Sequence, residues 1–200
     1  MSVDSPGETP AVPGLRERKK QRTRRTIRTE AFRLFREQGY GETTIEQIAA
    51  AAEVSPSTFF RYFPSKEQLV VADDLDPPMI AQYRAQPPEL SPILALRNAI
   101  NAVYATLTPA EIAFEQERQA LLHHVPELRA AVGHELERGV AMIAALFAER
   151  TGRSVDDFEI QVAAGALAGA GLAIAMTSPI NSDNVGRALE FLDRGLPLTD

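Results

Sequence analysis

Residues 55–63, Ser-Pro-Ser-Thr-Phe-Phe-Arg-Tyr-Phe, carry unlike chemistries at spacings that a helix sorts onto two sides. With about 100° of rotation per residue, Ser57, Thr58, Arg61 and Tyr62 share one arc, Phe60 stands beside Ser57, and Phe59 and Phe63 point away. Hydroxyls and a guanidinium on an exposed arc can bond to base edges and phosphates. Taken alone, Arg61 or Ser57 would be an ordinary solvated face. The preceding tract RERKKQRTRRTIR (16–28) changes the balance. Eight of its thirteen residues are basic, Arg24 and Arg25 among them, and Glu17 is the sole acid. Such an arm displaces condensed counterions from a duplex, a general source of affinity for nucleic acid. Together the two features point to a recognition helix for DNA.

The surrounding pattern supplies what must position that helix. Ile27, Ala31, Leu34 and Phe35 follow helical spacing, and Gly39 stops the run. Thr44 stands three residues before Gln47, a capping box for a short helix to Ala52. Ser55-Pro56 is an N-cap followed by proline at the first helical position, opening a helix to about Phe63. Ser65 and Gln68 form a second capping box, for a helix to about Leu75. Helix 44–52, a three-residue connection and helix 56–63 have helix-turn-helix proportions. Asp76-Pro77-Pro78 and Pro87-Pro88 are read as breaks. Beyond them lie helical segments at roughly 91–107, 110–124, 126–150, 155–177 and 183–194. Strand signals are nearly absent, so the fold class is all-α.

Residues 23–70, above all TTIEQIAAAAEVSPSTFFRYFPSKEQL (43–69), resemble the DNA-binding domain of the tetracycline-repressor-like (TetR) transcriptional regulators. The resemblance implies a homodimer with one helix-turn-helix per subunit and a variable C-terminal bundle for ligand binding and dimerisation. Position by position, it implies that Thr44, Tyr62 and Lys66 hold backbone phosphates while Ser57, Thr58 and Arg61 meet bases. Where the family usually has Tyr, Phe60 offers only an apolar edge, to a thymine methyl or a sugar. A glycine common in the family is replaced by Glu53, which is strained if its φ is positive. The resulting domain reading is a disordered tail over 1–14, a DNA-binding domain with a basic N-terminal arm over 15–75, and a ligand-binding and dimerisation domain over 76–200.

The charge is divided in the same way. The formal net charge of −6 separates into +6 over residues 15–66, −10 over 67–200 and −2 over the first fourteen. A basic head on an acidic body suggests a polyanion partner at one end only. Within the body, the family analogy implies a pocket for a small effector of lipophilic character. Tyr104, Phe114, Leu121, Leu122, Met142, Phe147 and Met176 are candidate lining residues, each equally readable as core. ERQALLHHVPELRA (117–130) resembles an actinobacterial subgroup with an acyl-CoA-responsive type of C-terminal domain, in which Arg118 could hold an acidic headgroup. A surface ion pair of Arg118 with Glu115 or Glu111 is the competing reading. VAAGALAGAGLAIAM (162–176), rich in small residues, serves either the core or, with Val185, Ala188, Leu189 and Leu192, a dimer seam. The TetR resemblance favours the seam.

Other chemistries are excluded by composition and spacing. Without cysteine there are no disulfides or thiolate sites. Adjacent His123 and His124 point apart on a helix, and Arg138 stands where a second histidine after His134-Glu135 would have to be. No metal, no cofactor and no catalytic residues are expected, and the chain is not expected to be an enzyme. The apolar stretch 162–176 is short for a membrane span, so no membrane partner and a cytoplasmic location are expected. The expected partners are double-stranded operator DNA with palindromic symmetry, a second copy of the chain, and a small effector that releases a repressor. The alternative is a DNA-binding regulator answering to a protein partner or to no effector.

Overall fold

The computed structural model describes residues 14–178 and 181–198, so the tail expected over 1–14 lies, but for Gly14, outside the described residues. All described secondary structure is helical. The chain divides into two compact units, Met1–Leu69 and Val70–Asp200.

The first unit opens on α1 (Leu15–Gln38), followed by α2 (Ile45–Ala51) and α3 (Pro56–Tyr62). The basic tract expected as an arm is instead the first half of α1, a continuous helix of 24 residues. No proline or glycine interrupts 15–38, so nothing stops propagation from the apolar half back into the charged half. Ile27, Ala31, Phe32 and Phe35 form its buried stripe. At α2 the capping box is complete: Gln47 N–H donates to Thr44 Oγ1 at 3.2 Å, and Thr44 N–H to Gln47 Oε1 at 2.9 Å. Ser55 Oγ accepts from Thr58 N–H at 3.1 Å and Pro56 takes the first helical position, so α3 begins where its sequence predicts. Between α2 and α3 the chain turns through Glu53, whose φ of 54° is left-handed.

The helix expected over 65–75 is a single turn, α4 (Gln68–Val71), on which the unit boundary falls. Ser65 does not cap it with Gln68. Its side chain bonds to Glu67, and that bond holds the Glu67 carboxyl below the usual range. Further on, Leu75 N–H donates to Asp73 Oδ1 at 2.8 Å.

The second unit contains α5 (Asp76–Arg84), α6 (Pro92–Tyr104), α7 (Pro109–His124), a 3₁₀ turn at Pro126–Leu128, α8 (Arg129–Thr151), α9 (Phe158–Thr177) and α10 (Ser182–Asp193). Asp76-Pro77-Pro78, read as a break, opens α5. Prolines in a first turn lack only N–H groups that have no partner within the helix. Helices α6, α7, α9 and α10 start on the side-chain caps Ser91, Thr108, Asp157 and Asn181, whereas α8 follows the 3₁₀ turn without one and stops at Gly152 with φ 69°. α8 packs along α9, α5 on α6, and α10 against both α6 and α9. Their shared core includes Tyr83, Leu96, Val103, Phe147, Ile160 and Leu167, and Ala99, Ala144 and Ala164 let backbones approach.

Arg118 is not a surface residue. Its side chain is 6% exposed, and Nε donates to Glu115 Oε2 at 2.7 Å. Nη1 donates to the Val70 carbonyl and Nη2 to Asp73 Oδ2, both at 3.2 Å. Glu115 is the expected partner, but the pair is buried, and it fastens α7 to residues 70–73. Beside it the Tyr104 hydroxyl is pushed up to about 12, by burial first and then by Asp73 and Glu115.

Two stability measurements check these arrangements. Replacing Glu53 by glycine removes a left-handed strain of about 1–2 kcal/mol while loosening the unfolded chain, so E53G is expected to raise the unfolding free energy by up to about 1 kcal/mol in urea titrations. Arg118→Met leaves the Glu115 carboxylate buried without its cation and is expected to cost about 3–5 kcal/mol. Adding Glu115→Leu to Arg118→Met should recover much of that loss. A single mutant that melts like wild type would show that the ion pair is not an internal fastening.

Candidate nucleic-acid interface and effector cavity

On α3 the structure separates two faces as the spacing predicts. Phe59 and Phe63 are 0% and 1% exposed, whereas Phe60 is 51% exposed and Ser57 and Arg61 lie at the surface. Phe60 is held edge-on by Phe59, with ring centroids 5.5 Å apart at 89°. The Arg61 guanidinium lies 5.5 Å from the centre of the half-buried Tyr62 ring, which supports it from one side. Thr58 is half-buried, and its Oγ1 accepts from Ser55 Oγ at 3.0 Å. Ser57 Oγ lies 2.9 Å from the same Ser55 Oγ. The outward surface of α3 is thus one cation, small hydroxyls and one phenyl ring. Such a set can donate to guanine or phosphate and touch a thymine methyl. Thr44 is exposed at the start of α2. Its oxygen accepts the capping bond, and a hydroxyl that accepts one bond can still donate its own proton.

The expected phosphate-binding cations do not share one role. Arg24 donates through Nη1 to the Tyr62 carbonyl at 3.2 Å, and its guanidinium lies 4.4 Å from the centre of the Phe63 ring. It therefore complements the carbonyl end of α3, where a positive charge is favoured. Lys66 is also turned inward: Nζ donates to the carbonyls of Tyr40 at 2.8 Å and Thr43 at 3.0 Å, and sits 4.2 Å from the Tyr40 ring centre. Two of its three N–H donors are committed inside the unit, so its first job is to tie the loop before α2 to the chain after α3. Arg28, which motif reasoning did not single out, is buried and donates through Nε to the Leu69 carbonyl at 2.9 Å. Arg25 stays at the surface of α1.

In the second unit a cavity of about 290 Å³ lies between α5, α6, α8, α9 and α10. Of the residues expected to line an effector site, it takes in Met142 alone. Phe147 is 3% exposed within the core, stacked on Tyr83 at 6.3 Å. Met176 faces outward at 71% exposure. Arg118 is committed to its ion pairs, and Tyr104, Phe114, Leu121 and Leu122 lie on α6 and α7 away from the cavity wall. The wall is made instead by residues such as Leu96, Ile143 and Leu189, with Gly139, Ala168 and Gly171 giving the room. Large side chains do not mark it, because absent side chains create the space.

Residues 27–72 match the model of the bacterial regulatory proteins of the tetR family, and residues 90–198 match the MftR C-terminal domain. Over 164 residues the chain is 36% identical to the HTH-type transcriptional regulator TcmR of Streptomyces glaucescens, spanning 78% of this chain and 73% of the relative. Among solved structures it is similar to Thermus thermophilus FadR, a TetR family transcriptional repressor in complex with lauroyl-CoA. That likeness has a TM-score of 0.55 at 25% identity and covers 88% of this chain and 96% of the other. NalD, the secondary repressor of the MexAB-OprM multidrug efflux pump in Pseudomonas aeruginosa, shares the fold. Its TM-score is 0.54 at 22% identity, over 88% of this chain and 96% of that one.

The different settings of Arg61 and Lys66 predict different failures. Arg61→Ala is expected to cost about 1–3 kcal/mol on the preferred sequence and to relax preference at one base pair. Lys66→Met removes two charge-assisted bonds to carbonyls, so the expected loss is about 1–3 kcal/mol of folding stability. Its salt dependence of DNA binding should match wild type when both are measured well below the melting temperature. Selection from a randomised duplex pool at several salt concentrations, alongside thermal melting, checks both. A Lys66→Met protein that melts normally but loses about one unit of salt slope would return Lys66 to the phosphate backbone.

Proposed function

The chain belongs to the TetR family of bacterial regulatory proteins, and on that premise we propose that it is a homodimeric repressor that binds a palindromic operator and leaves it when a small lipophilic effector enters the cavity of the second unit. The observation that carries the reading is the outward face of α3, where Ser57, Phe60 and Arg61 stand exposed opposite a buried pair of phenyl rings. Thr44, Thr58 and Tyr62 flank that face, and the exposed cations of α1, Arg25 among them, supply sequence-independent attraction. The reading places residues 15–75 on DNA, assigns the remainder to effector binding and dimerisation, gives the protein no catalytic role and places it with its operator in the cytoplasm.

The second copy packs on α9. Phe158, Val162, Ala166, Gly169, Ala173 and Met176 recur at steps of three and four and are all exposed. An uninterrupted apolar stripe along a 20-residue helix is costly to leave in water and marks an interaction surface. By length and composition α9 could also cross a membrane, but its other face is already buried against the core through Ile160, Ala164 and Leu167. A Cβ built on Gly169 meets nothing within 4 Å, so the fold of one subunit makes no demand for glycine there. Close approach of a second copy does. In such a dimer an effector would act on the distance between the two recognition helices, since half-sites one turn apart require about 34–36 Å.

The reading is checked by sedimentation and by binding to a selected palindrome. Wild-type protein is expected to sediment as a dimer at micromolar concentration and to protect two half-sites. Gly169→Leu is expected to keep the helical circular dichroism signal while shifting the species toward monomer and weakening operator binding. A wild-type monomer at that concentration, or a Gly169→Leu dimer of unchanged affinity, would remove α9 as the seam.

A further inference from the structure

The effector cavity has a charge asymmetry that the proposed function leaves unused. Among the described residues its wall is apolar apart from one ionisable side chain, Glu135, on the α8 side. Glu135 Oε2 accepts from Arg138 Nε at 2.7 Å, and Arg138 Nη2 reaches Asp76 Oδ2 at 2.7 Å. The second oxygen, Glu135 Oε1, has no donor among the described residues. Two carboxylates therefore share one guanidinium, leaving one negative charge in excess at the edge of an apolar space. The Asp76 carboxyl registers that excess: burial first, and then Asp73 beside it, push it above its usual range against the pull of Arg138. No cation among the described residues lines the cavity, and Arg118, the cation expected to hold an acidic headgroup, is spent on Glu115, Asp73 and the Val70 carbonyl.

We propose that this cavity binds an apolar molecule bearing one cationic amine, whose ammonium donates to Glu135 Oε1 while its hydrocarbon body lies between α6, α8, α9 and α10. The inference rests on the ligand-responsive reading above and names the chemical class that the site accepts. A ligand carboxylate would lose its water beside an existing carboxylate and gain no counter-charge, an unfavourable exchange that excludes it. An ammonium cancels the excess charge and gives Oε1 its missing donor. About 290 Å³ is at the lower end for small-molecule sites. It accommodates a single hydrocarbon chain.

The test uses the full chain with dodecylamine, dodecanoate and dodecanoyl-CoA, each below its micellar concentration, followed by calorimetric titration and thermal melting. Dodecylamine is expected to raise the melting temperature and to bind at least tenfold more tightly than dodecanoate. Glu135→Gln is expected to bring the two affinities within about threefold, by weakening the amine and admitting the acid. Gly139→Leu projects a side chain into the cavity from a position where a Cβ meets nothing, and it should abolish binding of every probe while keeping the helical signal. The proposal is overturned if dodecanoate or dodecanoyl-CoA binds as tightly as the amine. It is equally overturned if no probe binds, or if amine binding survives Gly139→Leu. Operator affinity measured on the same samples separates the two readings. Intact DNA binding with an acid-selective cavity overturns the charge class alone, whereas a cavity that takes the amine in a protein without operator affinity overturns the repressor.

Discussion

Phe59 and Phe63 lie fully inside the first unit, with Phe32, Phe35 and Ile48 buried around them, and a seven-residue helix such as α3 has little else to fix its rotation. Burying each ring contributes about 1.5–3 kcal/mol. Turning α3 by even a quarter turn would forfeit much of that and expose both rings. Because the helix has only one low-energy rotation, the residues out of phase with the rings are held outward whatever their chemistry. Ser57, Phe60 and Arg61 therefore face solvent for a reason that has nothing to do with DNA. Recognition is added to a surface that packing has already oriented. The same constraint explains the concentration of caps around α2 and α3: elements of seven residues cannot be sustained by propensity, so Thr44, Gln47, Ser55 and Pro56 fix where each begins.

The cations show where a sequence stops being informative. Eight basic residues in thirteen announce a polyanion partner, yet the text of 16–28 does not reveal that Arg24 and Arg28 spend their guanidinium groups on the carbonyls of Tyr62 and Leu69. Lys66 does likewise at Tyr40 and Thr43. Which carbonyls a long side chain can reach is decided by how helix ends meet, and that is a tertiary fact. The local signals were legible: the capping box at Thr44, the N-cap at Ser55, and the positive φ risked at Glu53 follow from short-range chemistry. Asp76-Pro77-Pro78 was misread because proline breaks a helix only beyond its first turn. The partner of Arg118 was legible as i,i−3 spacing, whereas its burial depended on residues 70–73, some 45 positions away.

The cavity was the least legible feature, for a related reason. Large apolar residues such as Phe147 are found inside, but they fill space and do not enclose it. The room between α8 and α9 comes from Gly139, Ala168 and Gly171, residues that in one dimension look like helix-packing contacts. Some of them are that as well: Ala144 and Ala164 bring the same two helices together. One small-residue pattern thus serves close approach at one level of the bundle and a void at another, and only the crossing of the helices tells the two apart.

The mean hydropathy of α9 follows from this double use. A helix buried on one face against its own core would carry polar residues on the other, yet α9 has Phe158, Val162 and Met176 outward as well as Ile160 and Leu167 inward. Such a helix satisfies a membrane criterion by composition without needing a membrane, because two protein surfaces can cover its two faces. The inward face borders the cavity through Leu167, Ala168 and Gly171, and the outward face is the proposed seam. A ligand that wedges the inward face of α9 must be accommodated either by movement of α8 and α10 or by movement of the seam itself. Close-packed helices shift as bodies and do not compress. With a second copy seated on the proposed seam, small displacements at the cavity would be passed to that copy through α9, whose outward stripe is as apolar as its inward face.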